Sequence, residues 1–133
     1  MDINKKPKHL ITGEWGEGVA CDFLKKKGYK ILKRNYVPKK QYEIDIVALQ
    51  DDVIVFVEVK TRKSINYGRP AVAVDRKKRA KLQHAIVAYL QKLKKQNPYF
   101  RIDIIEVVGT PEQGALEINH IENAFNLNDR YIY

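Results

Sequence analysis

The amino-acid sequence predicts an α/β protein in which one sheet is covered by a helix on each face. Apolar residues recur with helical spacing in two segments, residues 13–27 and 76–95. Between and after these segments, apolar and polar residues alternate as they do in β-strands. The resulting order is helix, three strands, helix, and one or two strands, a mixture that is typical of an α/β sheet.

The first helix is expected from Gly13 to Lys27. Thr12 suits its N-cap position, and Gly28 supplies its stop. Residues 1–11 are therefore expected to form a flexible N-terminal arm. The apolar stripe of this helix consists of Trp15, Val19, Ala20, Phe23 and Leu24.

Three strands are expected after the first helix. The segment YKILKRNY alternates, and Pro38 with the lysines around it is expected to end the strand. The segments YEIDIVAL and VIVFVEVK are separated by Gln50, Asp51 and Asp52, a spacing that predicts a tight antiparallel hairpin. This hairpin is expected at the centre or at the edge of the sheet.

The second helix is expected after Asp75, which suits its N-cap, and should reach about Lys95. The segments YFRIDIIEVV and ALEINHI predict two further strands, and a turn is expected near Phe125. The apolar stripe of the second helix consists of Leu82, Ile86, Tyr89, Leu90 and Leu93.

The composition predicts one compact domain, because 133 residues that are 44% hydrophobic suffice for one core and not for two. The domain is expected over residues 12–127, with a C-terminal tail at 128–133. The single cysteine, Cys21, excludes an intrachain disulfide and a zinc site built from thiolates. No apolar run has the length needed to cross a bilayer, so a cytoplasmic protein without a membrane partner is expected.

Positive charge is concentrated in one stretch of the chain. The formal net charge is +9, and nine basic residues but one acid lie from Lys60 to Lys81. This density indicates a polyanionic partner, because contacts with phosphates release counterions. A solvated basic face is the alternative, since lysines also keep proteins soluble. The predicted nucleic-acid contacts are Arg62, Lys63, Arg69, Arg76, Lys77, Lys78, Arg79 and Lys81.

Two charged residues interrupt the valine-rich segment VFVEVKTR. Glu58 and Lys60 leave the same face of the strand, as do Glu43 and Asp45 on the strand before it. If the hairpin pairs in register, Asp45 comes near Glu58. Charges are expensive to bury unless they are paired or bound. A structural salt bridge between Glu58 and Lys60 is the simpler alternative, but it would leave Asp45 unmatched.

Glu17 is a third acid, at the margin of the apolar arc of the first helix. Each pair of like charges near 4 Å costs on the order of 4 kcal/mol at an effective dielectric of about 20, so converging carboxylates must either protonate or share a cation. Oxygen ligands alone favour Mg²⁺ or Mn²⁺. A metal site at Glu17, Asp45 and Glu58, with Lys60 orienting water or stabilising the phosphate, predicts phosphodiester hydrolysis.

The ordered set Glu17, Asp45 and Glu58-Val59-Lys60 resembles the PD-(D/E)-x-K nuclease superfamily, and it is similar to the archaeal Holliday-junction resolvases. The segments GEWGEGVACDFLKKKGYKILKRNY, YEIDIVAL, VFVEVKTR, KLQHAIVAYL and RIDIIEVV look like the YraN-like family of small bacterial proteins. This second resemblance covers nearly the whole chain, from Gly13 to Phe125.

The resemblance implies a three-layer α/β/α core of the restriction-endonuclease-like type, with a mixed central sheet. It also implies a magnesium site at Glu17, Asp45 and Glu58, with Lys60 as the catalytic lysine. The sequence departs from the pattern at two positions. Ile44 stands where the superfamily name has proline, and Tyr42 stands where the YraN-like pattern usually has glycine.

A metal-dependent nuclease acting on DNA, with branched or flapped structures among its candidate substrates, is therefore the leading hypothesis. A non-catalytic nucleic-acid-binding module that retains the fold is the alternative, and an interaction protein that docks its basic helix on an acidic partner is a third option. Resolvase-like cleavage of two strands would require a symmetric homodimer.

Other polar residues are expected to have structural roles. Arg101 and Asp103 share one strand face, which predicts an ion pair. His9, His84 and His120 have no metal-ligand spacing between them, so surface or packing roles are expected for all three.

Overall fold

The computed structural model describes residues 6–64 and 76–127. Seven elements follow one another in the predicted order. They are α1 (Lys8–Lys26), β1 (Lys30–Lys39), β2 (Tyr42–Gln50), β3 (Val53–Arg62), α2 (Arg76–Lys92), β4 (Phe100–Thr110) and β5 (Gly114–Ile121). Four predicted features lie wholly or partly outside the described residues. They are the N-cap at Asp75, the nucleic-acid contact at Arg69, the C-terminal tail at 128–133 and the first five residues of the N-terminal arm.

The five strands form one mixed sheet in the order β1-β2-β3-β4-β5. Strands β3 and β4 are parallel, and the other three pairs are antiparallel. The predicted hairpin joins β2 to β3, with Gln50 opposite Val53 and a turn at Asp51 and Asp52. Asp51 has a φ of 54°, a left-handed conformation that Asp tolerates in turns. The hairpin is confirmed and lies inside the sheet.

The two helices cover opposite faces of the sheet, which confirms the three-layer α/β/α architecture. On the α1 side, Ala20 and Leu24 belong to one core cluster with Val55 and Val57 of β3. On the α2 side, the core cluster contains Leu82, Ile86 and Phe56 together with Ile102. Strand β3 is thus buried on both faces, which explains its nearly continuous apolar sequence.

Helix α1 begins at Lys8, five residues earlier than the sequence predicts. Pro7 precedes its first residue, and proline suits this place because the first N–H groups of a helix have no partner within it. Thr12 is not the N-cap but lies within the helix, where its hydroxyl donates to the carbonyl oxygen of Lys8 at 3.0 Å. The prediction of a flexible arm is therefore wrong for residues 8–11, which are helical.

Two other predicted boundaries differ from the structure. Strand β1 continues through Pro38 to Lys39. Because β1 is an edge strand, a residue without an N–H is tolerated there. Helix α2 ends at Lys92 rather than near Lys95, and Lys94 has a φ of 56°, which a right-handed helix cannot contain. Neither α1 nor α2 is long and apolar enough to span a membrane.

Candidate metal centre and its basic surroundings

Asp45 lies where the regular alternation of β2 is interrupted. Ile44 packs in the α2-side core, whereas Ile46 packs in the α1-side core. Residues two apart on a regular strand share one face, so the chain must deviate between these two isoleucines. Regular pairing with β3 begins with Ile46 opposite Val57. This local deviation lets the Oδ2 atom of Asp45 accept a hydrogen bond of 2.8 Å from the backbone N–H of Val59.

Three carboxylates from two elements converge beside this irregularity. Oxygen atoms of Glu17, on α1, and of Glu43 and Asp45, on β2, lie within 4.8 Å of one another. Ligands on opposite sides of one magnesium ion lie about 4.2 Å apart, because each Mg–O distance is about 2.1 Å. The three oxygens are therefore close enough to share one divalent cation after small side-chain movements. A set of oxygen donors alone suits Mg²⁺ or Mn²⁺.

The electrostatics of this group also favour a cation. Burial raises the pKa of Asp45 well above its ordinary value, and the negative charge of Glu58 raises it further, although the N–H of Val59 acts in the opposite direction. Burial and the charge of Glu43 likewise raise the pKa of Glu17, against a hydrogen bond from Asn35. The ionised forms of both acids are thus disfavoured, and a nearby positive charge would stabilise them.

Glu58 is close to Asp45 but has a partner of its own. Its side chain is buried on the α2 face of β3, where the residue is 3% exposed. The amino group of Lys78, in the first turn of α2, lies 2.7 Å from the Oε1 atom of Glu58. Among the described residues, the group of three close carboxylates does not include Glu58. Glu43 belongs to this group although it is not a predicted ligand, and a ligand role for Glu58 stays a prediction.

The structure brings the amino group of Lys78 to these acids. Burial lowers its pKa, but the charges of Glu58, Asp45 and Glu43 outweigh this effect and the pKa is raised, so Lys78 stays cationic. Lys60, the predicted catalytic lysine, is partly buried on β3 beside Glu106 of β4. A catalytic role for Lys60 stays a prediction.

Two cavities meet at the acidic cluster. The larger, of about 670 Å³, is bounded by Glu17 and Asp45 and by three lysines: Lys8, Lys63 and Lys78. The smaller, of about 490 Å³, is bounded by Glu43, Asp45 and Glu58 and by Lys77, Lys78 and Lys81. Asp45 and Lys78 line both cavities, so an acidic centre has lysines on either side.

The structure brings some of the predicted nucleic-acid contacts to these cavities and not others. Lys63, Lys77, Lys78 and Lys81 line them. Arg62 instead forms an ion pair of 3.1 Å with Glu106. Arg79 packs over the ring of Phe125, 4.4 Å from its centroid, and Arg76 is exposed at the first residue of α2.

Sequence reasoning missed several residues of this site. Lys8 and His9 line the larger cavity, although the sequence predicts them within the flexible arm. The two-residue spacing predicts that Glu43 shares a strand face with Asp45, but Glu43 is not among the predicted ligands. Lys78 is predicted only as a nucleic-acid contact, and its pairing with Glu58 is not predicted. It lies four residues before the buried Leu82, a helical spacing that places both on one side of α2.

A close approach between α1 and β3 positions Glu17. Gly16 is buried against the side chain of Thr61, and a Cβ atom at this position would collide with the Thr61 hydroxyl. Glycine therefore allows the helix to lie near the sheet at the residue next to Glu17. Tyr42, one of the two departures from the family pattern, stacks on His84 of α2 with ring centroids 4.9 Å apart.

Comparison with known proteins gives a consistent family. The profile of the Uncharacterised protein family UPF0102 matches residues 16–107. A UPF0102 protein of Caldanaerobacter subterraneus is 46% identical over 122 residues, which cover 91% of this chain and 99% of that protein. UPF0102 proteins of Syntrophomonas wolfei and Clostridioides difficile are 44% and 43% identical, covering 85% and 92% of this chain and 96% and 100% of those proteins.

Proposed function

We propose that this chain, which belongs to the UPF0102 family, is a metal-dependent nuclease that hydrolyses phosphodiester bonds in DNA. Membership confirms the resemblance to the YraN-like family, whereas placement in the PD-(D/E)-x-K superfamily is part of the proposal. The observation that carries it is the approach of carboxylate oxygens of Glu17, Glu43 and Asp45 to within 4.8 Å of one another, between two lysine-lined cavities.

Different residues of the site would bind the metal ion, position a ligand and stabilise charge on the phosphate. Glu17, Glu43 and Asp45 would hold Mg²⁺ or Mn²⁺, which when bound supplies a positive charge that polarises a phosphoryl oxygen. The N–H of Val59 fixes the carboxylate of Asp45 in place. An amine beside the reacting phosphate stabilises the charge that develops on it. Lys78, which lies near the cluster, would supply this amine, with Lys60 as the lysine predicted from the family pattern.

The reaction consumes one water for each bond that is cut. The water oxygen forms a bond to phosphorus, the bond from phosphorus to a sugar oxygen breaks, and that oxygen takes up a proton. The lysines along both cavities contact neighbouring phosphates, which supplies affinity that does not depend on sequence. We further propose that the enzyme is cytoplasmic and acts on branched or flapped DNA. Where two strands are cut, it would act as a homodimer.

A cleavage assay tests this function. The purified protein is incubated with Mg²⁺ or Mn²⁺ and linear duplex, single-stranded, flapped and four-way-junction DNA. We expect cleavage of at least one substrate, its loss in EDTA, and a loss of about 100-fold or more in Asp45→Asn and Glu17→Gln, because both remove metal ligands. Asp52→Asn, in the exposed hairpin turn, is the matched control and should keep full activity. Absence of cleavage on every substrate, or cleavage that persists in EDTA, would refute the proposal.

The ion pair between Lys78 and Glu58 favours a second candidate, a nucleic-acid-binding module without catalysis, because it neutralises one acid of the site without a metal. This candidate predicts DNA binding that weakens with salt but is unaffected by EDTA and by Asp45→Asn. Electrophoretic mobility shifts measured with and without EDTA separate the two functions.

A further inference from the structure

We propose that Lys78 couples metal binding to DNA binding. Its amino group pairs with Glu58 in the metal-free protein, and it moves to form an ion pair with a DNA phosphate when a divalent cation is bound. This inference rests on the proposed function and names how the same site is regulated. It assigns to Lys78 a role in coupling two ligands, which the pattern of acids and lysine in the sequence does not indicate.

The geometry of Lys78 is suited to two partners. Its amino group reaches 2.7 Å from a carboxylate oxygen that is almost completely buried, while its own side chain remains 59% exposed. The long side chain of lysine has several rotatable bonds, so the amino group can move without movement of α2. Lys78 also lines both cavities, which places it beside any chain of phosphates that passes from one cavity to the other.

Electrostatics link the two partners. A buried carboxylate requires a compensating positive charge, and Lys78 provides it for Glu58 in the structure. Positive charge bound at Asp45 would attract Glu58, whose charge already acts on Asp45, and would repel the Lys78 amino group. The net attraction that holds the Lys78 amino group at Glu58 then weakens, and this amino group becomes available to a phosphate. Each ligand therefore strengthens the binding of the other, because such coupling is reciprocal.

Two variants separate this role from a general contribution of positive charge. Lys78→Met removes the amino group and keeps an unbranched side chain. Lys81→Met is the matched control, because Lys81 lies on the same helix and lines only the smaller cavity. Glu58→Gln is the converse variant, since it frees Lys78 without a metal.

Calorimetry with Mn²⁺ in the absence of DNA gives the first test. We expect Lys78→Met to bind Mn²⁺ about tenfold more tightly than the wild type, because the competing cation is gone, and Lys81→Met to bind it as the wild type does. Equal Mn²⁺ affinity in the wild type and Lys78→Met would overturn the coupling while leaving the proposed nuclease intact. Failure of the wild type to bind Mn²⁺ at all would refute both.

DNA affinity gives the second test, measured by fluorescence anisotropy with a phosphorothioate-linked oligonucleotide, which resists cleavage, in Mn²⁺ or EDTA at constant ionic strength. We expect the DNA affinity of the wild type to be about tenfold or more higher in Mn²⁺ than in EDTA. In Lys78→Met, this ratio of the two DNA affinities should fall close to one. Lys81→Met should weaken binding equally in both conditions and keep the ratio. An unchanged ratio in Lys78→Met would contradict the proposal.

Glu58→Gln alone gives a third test that does not require Lys78→Met to fold, and the absence of any gain in DNA affinity in EDTA would overturn the proposal. We expect Glu58→Gln to bind the oligonucleotide more tightly than the wild type in EDTA, because Lys78 is already released. This gain should disappear when Lys78→Met is added in a double-mutant cycle. A gain of equal size with and without Lys78 would show that Glu58 acts only through its own charge, and the proposal would fail.

Discussion

The carboxylates of Asp45 and Asp103 have opposite electrostatic surroundings. Asp45 lies among other acids, and burial together with the charge of Glu58 raises its pKa. Asp103 is also buried, but Arg101, His120 and the N–H of Asn123 all donate to its oxygens, at 3.0, 2.7 and 2.9 Å respectively. The first arrangement favours a bound cation and the second stabilises the fold, although both residues are acids at strand positions.

For Asp45, we expect Asp45→Asn to raise the melting temperature of the metal-free protein at neutral pH. The substitution removes a disfavoured charge, and the amide oxygen can still accept the hydrogen bond from Val59. Thermal unfolding in EDTA measures the effect. Mn²⁺ should then stabilise the wild type and leave Asp45→Asn unchanged, since only the wild type keeps the full set of ligands. A lower melting temperature for the variant in EDTA would contradict this account.

For Asp103, we expect Asp103→Asn to lower the free energy of unfolding by about 3 kcal/mol at neutral pH, because it breaks a buried ion pair. Burial raises the pKa of Asp103, but the hydrogen bonds from His120, Arg101 and the Asn123 amide lower it more, so the net direction is down. Its contribution is therefore present above the pKa of the unfolded chain and is lost as pH falls through the folded pKa.

Urea unfolding of wild type and Asp103→Asn at neutral and acidic pH checks this second prediction. The difference between the two proteins should shrink as the pH falls, because protonated Asp103 no longer differs in charge from Asn. A difference that stays constant would place the effect in packing rather than in ionisation. The ion pair between Arg101 and Asp103 was predicted and is confirmed, whereas His120, predicted only to pack or lie at the surface, also holds Asp103.

At the scale of the elements, the contact between α1 and β3 connects packing to the site. Glu17 belongs to a helix and Asp45 to a strand, so their separation depends on how closely the two elements approach. Gly16 permits that approach at Thr61. The same contact sets the position of Lys8 and His9, about two helical turns earlier, where they line the larger cavity.

We expect Gly16→Ala to lower the free energy of unfolding by about 1–3 kcal/mol, because the added methyl group collides with Thr61 and displaces α1. Displacement of α1 also moves Glu17 away from Asp45, so the affinity for Mn²⁺ should fall. Gly13→Ala is the control, since a Cβ there meets no atom within 4 Å, and it should stabilise the helix by up to about 1 kcal/mol. Urea unfolding and calorimetry measure both effects, and equal behaviour of the two variants would disprove the role of the contact.

For the whole molecule, charge is distributed so that acids occupy the centre of a basic surface. The net charge of +9 predicts a polyanionic partner, and the fold gathers lysines from α1, α2 and the segment after β3 around Glu17, Glu43 and Asp45. This arrangement attracts a polyanion overall, while the central acids repel it unless a cation is bound.

DNA affinity should therefore fall steeply with salt, and each lysine that contacts a phosphate contributes to the slope. We expect Lys63→Met to reduce the slope of log K against log[salt] by about 1. Lys30→Met, on the exposed part of edge strand β1, is the control and should leave the slope unchanged. Anisotropy titrations over a series of salt concentrations provide the slopes. An unchanged slope in Lys63→Met would exclude Lys63 from the DNA contact.

Sequence alone determined the order and type of the elements, the hairpin that joins β2 to β3, and hence the proximity of Asp45 and Glu58. These features depend on local periodicity and turn residues, which a short stretch of chain specifies by itself. Tertiary structure decided that Glu43 joins Glu17 and Asp45 and that Lys78 pairs with Glu58. Both contacts depend on how α1 and α2 pack against the sheet and on the interrupted alternation at Asp45. Long-range packing, and not local propensity, determines these positions.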